Sequence, residues 1–81
     1  MTIHHLNGTF IDRRTGRAAT WKTTLDDDRK HGGVAYEGQI EFEGSVVEIP
    51  RNAFTLQQDE WHSACESIAI DRWDEHRKLK R

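Results

Sequence analysis

The spacing of the apolar residues changes once along this chain, at Pro50, and that change restricts the fold more than any single motif does. Between Val34 and Ile49 apolar and polar residues alternate. From Thr55 onward the apolar residues recur every third or fourth position. Alternation puts one set of side chains on one face of a strand, and a 3.6-residue spacing lines them along one stripe of a helix. The expected fold is therefore α+β. A small antiparallel sheet over about residues 2–49 is followed by one long C-terminal helix over about 55–78, packed on one face of the sheet. With 81 residues, the chain is read as a single domain, 1–81.

Turn signals set the strand pairing. Glu43-Gly44 as a two-residue turn places Ile40 opposite Val47 and Gly38 opposite Ile49. With Arg13-Arg14-Thr15-Gly16 as the loop before it, Phe10 lies opposite Ala19 and Gly8 opposite Trp21. Phe10, Ala19, Trp21 and Leu25 then share the inward face. A three-residue loop would instead turn Ile11 inward, because a one-residue slip reverses every side chain. Asn7-Gly8 is read as a bulge in one bent strand, which gives four strands; as a type I′ turn joining 2–6 to 9–12 it would give five. The polar stretch from Asp26 to Gly33 is the long loop. Pro50 cannot donate to a ladder and is expected to end the last strand.

The helix is expected to begin at Thr55, where Thr55-Leu56-Gln57-Gln58 fits a capping box. At about 100° per residue, Trp61, Ala64, Cys65, Ile68, Arg72 and Leu79 fall on one stripe. Trp21, Phe42, Trp61 and Ile68 are the expected core.

Composition limits what that core can do. The chain is 35% hydrophobic and 32% charged, so a self-sufficient monomer and a dimer or partner-completed core both stay open. Cys65 is the single cysteine, and no intramolecular disulfide can form. Secreted domains of this size are usually disulfide-stapled. No charged start followed by an apolar run marks the N-terminus, and no run reaches the roughly 18 apolar residues of a membrane span. A cytoplasmic protein with no membrane partner is expected.

Residues suited to chemistry are present but not arranged for it. His62 and Cys65, at i and i+3, could face one metal, yet zinc needs three or four ligands and nothing selects the others among His4, His5, His31 and His76. Asp26-Asp27-Asp28 lacks the alternating acids and central glycine of a calcium loop. His31-Gly32-Gly33 lacks the strand-to-helix setting of a phosphate loop. Ser63, Cys65 and Ser67 have no oriented base beside them. The expectation is a protein without catalytic residues, cofactor or metal.

Binding is the remaining class of function, and three surfaces invite it. Glu37, Glu41 and Glu48 fall on the outward sheet face as an acidic surface able to imitate phosphates. Ile70, Trp73 and Arg77 share a side of the helix away from the Trp61 stripe, and Trp and Arg dominate binding hot spots; the competing reading is that Trp73 only widens the buried face. The basic end, Arg77, Lys78, Lys80 and Arg81, could contact the phosphates of a nucleic acid. The favoured expectation is a small regulator or inhibitor of another protein, of the kind carried by phages and plasmids. Nucleic-acid binding through the basic tail is the alternative, and self-association through the helix face is also open.

Overall fold

The structure, a computed structural model, describes residues 3–27 and 33–79. Four strands, β1 (Ile3–Ile11), β2 (Ala18–Asp26), β3 (Val34–Phe42) and β4 (Ser45–Phe54), are followed by a 3-10 turn over Gln58–Glu60 and a helix, α1 (Trp61–Leu79). The sheet is an antiparallel meander in the order β1-β2-β3-β4, which makes β1 and β4 its edges. The α+β arrangement read from the hydrophobic spacing is the one observed.

The registers follow the turns. Phe10 pairs with Ala19 and Gly8 with Trp21, and Ile40 pairs with Val47 and Gly38 with Ile49. Glu43 and Gly44 both have positive φ, 47° and 83°, as a two-residue type I′ turn requires. These registers put Ala19, Trp21, Thr23 and Leu25 of β2 on one buried face with Val34, Tyr36 and Ile40 of β3 and Val47 and Ile49 of β4.

Gly8 is neither a turn nor a bulge. The β1–β2 register runs unbroken through nine residue pairs. Its glycine is explained from across the ladder: a Cβ at Gly8 would come within 2.7–2.8 Å of the Trp21 indole. The missing side chain is the space in which Trp21 lies. Gly38 answers a tighter constraint, since a Cβ there would meet the Lys22 carbonyl oxygen at 2.1 Å.

Pro50 does not end the sheet. β4 continues to Phe54, whose ring stacks on Tyr36 with centroids 5.3 Å apart. The β3–β4 register shifts between Tyr36 and Gly38, which pair with Asn52 and Ile49 respectively. Pro50 and Arg51 together therefore oppose Glu37. A bulge on an edge strand is where a proline can be tolerated, because no ladder donor is lost.

The longer β4 also delays the helix. Thr55, Leu56 and Gln57 lie outside regular structure and carry the chain off the β4 edge. The N-terminal cap moves two residues on from the expected one: the Gln57 N–H donates to the Glu60 carboxylate (3.3 Å), and the Glu60 N–H donates to the Gln57 carbonyl (2.9 Å). The Trp61 indole N–H closes the bend by donating to the Leu56 carbonyl at 3.1 Å.

Trp61, Cys65, Ala69 and Trp73, spaced four apart, form the buried stripe of α1. Ala64, Ile68 and Arg72, expected on that stripe, are half-buried along its flank, as Phe42 is on the sheet. Trp61 stands edge-on to His4, and Trp73 packs on Phe42 with ring centroids 5.2 Å apart.

Two substitutions test this packing. Gly38→Ala should destabilise the fold by about 3 kcal/mol or more, the upper part of the overpacking range, because its neighbour is backbone and cannot turn away. Trp61→Ala should cost about 3–5 kcal/mol. Urea denaturation followed by tryptophan fluorescence measures both, and an unchanged midpoint for either would contradict the packing described.

Candidate binding surface

Where α1 sits is decided by polar anchors at three places on the sheet. The first is Asp12, which follows β1 and is almost fully buried. Its backbone shapes the first turn: the Asp12 N–H donates to the Arg17 carbonyl, and the Gly16 N–H donates to the Asp12 carbonyl, both at 2.8 Å. Its carboxylate receives the Thr15 hydroxyl at 2.9 Å, the Trp73 indole N–H at 3.2 Å and the Arg77 guanidinium at 2.5 Å. Trp73 and Arg77 are one helical turn apart on the same side of α1, so both can donate to one carboxylate.

Burial by itself raises the Asp12 carboxyl. The hydrogen bonds from Trp73 and Thr15, the charge of Arg77 and a backbone hydrogen bond from Arg14 outweigh it and hold the group below its ordinary value.

The other anchors grip the two edges. The Arg72 Nε–H donates to the Glu48 carbonyl of β4 at 2.9 Å, and His62 Nε2 lies 3.0 Å from the Asn7 carbonyl of β1. A carbonyl can only accept, so His62 carries its proton on Nε2 in this contact. The His62 ring also packs on Trp21, 5.1 Å between centroids.

This arrangement revises the helix-face reading. Trp73 is in the core, and Arg77 is occupied by Asp12 in a mostly buried ion pair. Ile70 is half-buried and Lys78 exposed, so Ile70, Trp73 and Arg77 form no exposed docking face on this monomer. The basic cluster loses Arg77 as a free phosphate contact for the same reason, and Lys80 and Arg81 lie outside the described residues. His62 and Cys65 are drawn apart, one to the β1 edge and one into the core. Burial pushes the Cys65 thiol up, further from a reactive thiolate, against a smaller opposing effect of the Thr23 hydroxyl. Among the described residues, no three His, Cys, Asp or Glu side chains gather as metal ligands would. No helix among them is long and apolar enough to cross a membrane.

What remains open is the sheet face opposite α1. Glu37 and Glu48 are exposed there and Glu41 is half-buried, placed by the alternation that turns Tyr36, Ile40, Val47 and Ile49 inward. The face is not purely acidic. Lys22 lies on β2 beside Gln39, with its ammonium 3.9 Å from the Glu41 carboxylate. A shallow groove of about 470 Å³ crosses this face over Gly38, with His5, Lys22, Glu37, Gln39, Glu48 and Arg51 on its walls.

No motif marks Asp12, although the Phe10–Ala19 register puts it on the inward face. Arg51 joins the groove only because of the bulge. Set against family models, curated proteins and solved structures, the chain matches none of them.

Asp12 gives a pH prediction with a definite sign. Its folded-state value is depressed relative to the unfolded chain, so its stabilisation is complete above the ordinary carboxylate range and is lost as pH falls through the folded-state value. Asp12→Asn should lower the thermal midpoint at pH 7 and flatten its decline in acid. Melts across pH 2–7 check this, and parallel curves for wild type and variant would count against the anchor.

Proposed function

We propose that this is a small non-catalytic protein that binds another protein through its uncovered sheet face and thereby regulates or inhibits it. The observation that supports this is the asymmetry of the sheet. One face is closed by α1, while the other presents a polar groove with Glu37 and Glu48 exposed beside it. A rigid sheet holds these side chains at fixed spacings, about 6.6 Å between alternate residues along a strand. Fixed charges of this kind confer specificity and speed encounter.

The partner that fits is a protein with basic side chains directed at Glu37, Glu41 and Glu48. Lys22 and Arg51 interrupt the acids, so imitation of a continuous phosphate backbone is the weaker form of the idea. A partner carrying charges of both signs complements the face better. The intermixed acids also repel nucleic acid from this surface.

Charge reversal tests the proposal. Tagged wild-type protein should capture a partner from nuclease-treated native extract, and the complex should weaken as salt rises. Glu37→Lys with Glu48→Lys should abolish capture while leaving the thermal midpoint close to wild type, because both side chains are exposed. Undiminished capture by that folded variant would remove the face from consideration. Recovery of nucleic acid alone from untreated extract, with nothing captured after nuclease treatment, would favour the basic tail instead.

A further inference from the structure

The two edges of the sheet are built differently. β4 carries the standard protections against pairing with another chain. It has the Pro50–Arg51 bulge, the charges of Glu48 and Arg51, and the Arg72 guanidinium seated on an outward carbonyl. β1, with the sequence Ile-His-His-Leu-Asn-Gly-Thr-Phe-Ile, has no Asp, Glu, Lys, Arg or Pro in nine residues. Its register with β2 is unbroken, so it has no bulge to twist it away from a neighbour. Among the described residues, the guard seen on it is the His62 imidazole at the Asn7 carbonyl.

The hydrogen-bond phase of this edge can be read from the first turn. Asp12 donates to the carbonyl of Arg17, the residue opposite it. Antiparallel ladders alternate between bonded and non-bonded pairs. The even-numbered residues of β1 therefore bond β2, and Ile3, His5, Asn7, Thr9 and Ile11 direct their N–H and C=O groups away from the sheet. The His62 contact to the Asn7 carbonyl agrees with this phase.

Those same five odd-numbered residues turn their side chains to the uncovered face. Two of them, Ile3 and Ile11, are 47% and 60% exposed and rank among the large apolar side chains left in solvent. They stand four residues to either side of Asn7.

We propose that β1 pairs with β1 of a second copy of this chain, antiparallel about a two-fold axis at Asn7. Ile3 then lies opposite Ile11 of the second copy, and Ile11 opposite its Ile3. His5 faces Thr9, and Asn7 faces Asn7. Every outward β1 N–H and C=O finds a partner in this register. Both exposed isoleucines are covered at once, which a shift of the axis to a neighbouring residue would not achieve. On the inner face Leu6 meets Gly8 and His4 meets Phe10, adding cover to two partly buried apolar residues. The Asn7 carbonyl has a second lone pair, so the His62 hydrogen bond need not be given up. A two-fold axis perpendicular to the sheet keeps both helices on one side, and the uncovered faces of the two copies merge into one continuous surface. The inference concerns the β1 edge and stands independently of the function proposed for the face.

Sedimentation velocity of the wild type over a concentration series up to about 1 mM should show a monomer–dimer equilibrium. Ile3→Lys with Ile11→Lys sets like charges opposite each other twice and should weaken association about tenfold or more. Ile3→Lys with Ile11→Glu sets opposite charges together in the same register and should associate more tightly than the double lysine variant. Asn7→Pro removes only an outward N–H at the axis and should give a monomer with its fold intact by circular dichroism. It also decides the matter if a double variant does not fold. A wild type that stays monomeric throughout the series overturns the proposal. So does undiminished association of the double lysine variant or of Asn7→Pro, and so does equal weakness of the Lys/Lys and Lys/Glu variants.

Discussion

The indole of Trp21 occupies the space beside Gly8 of the neighbouring strand, and the rest of the molecule is arranged around that contact. Trp21 is fully buried at the middle of the sheet, paired laterally with Ile40 and covered by the His62 ring. A four-stranded sheet of this length needs one apolar face covered to be stable. With a side chain at Gly8 the indole could not take this position, since a Cβ there would lie 2.7–2.8 Å from it. Above it α1 buries Cys65 and Ala69 in the middle of its stripe, with Trp61 and Trp73 at the ends. The order along α1, large-small-small-large at intervals of four, complements the sheet beneath it.

Apolar packing of this kind sets the distance between helix and sheet but leaves the helix direction weakly determined. Direction comes from the polar anchors. Asp12 receives two donors from successive turns of α1, while His62 and Arg72 reach the carbonyls of opposite edge strands. Leaving a buried carboxylate or guanidinium unpaired is expensive, so a rotated or shifted helix is penalised even where its apolar contacts survive. The same anchors hold α1 to one face, and the opposite face carries the groove over Gly38.

The two edges show the same division of labour. Among the described residues, Arg72, Pro50 and the bulge serve β4, and His62 serves β1. This imbalance is invisible in composition, because it depends on which carbonyls point outward and which side chains of α1 can reach them.

Much of the sheet was legible in the chain itself. Alternation and the Glu43-Gly44 turn determine the β3–β4 register from Gly38 to the turn, and that of β1 and β2 follows once Arg13 to Gly16 form a four-residue loop rather than a three-residue one. Strand pairing next to a tight turn is governed by neighbours close in sequence and by a two-residue period, so local information carries it up to the first irregularity. The outward placement of Glu37, Glu41 and Glu48 follows from the same alternation. The purpose of Gly8, the survival of the strand through Pro50 and the burial of Trp73 were decided by tertiary structure. Gly8 answers a side chain thirteen positions away, Pro50 is tolerated because β4 is an edge, and Trp73 is drawn in by a carboxylate sixty-one residues earlier. A helical period shows that a stripe exists. Only the surface it meets, with its own shape and its own buried charge, determines how wide that stripe becomes and where it is fastened.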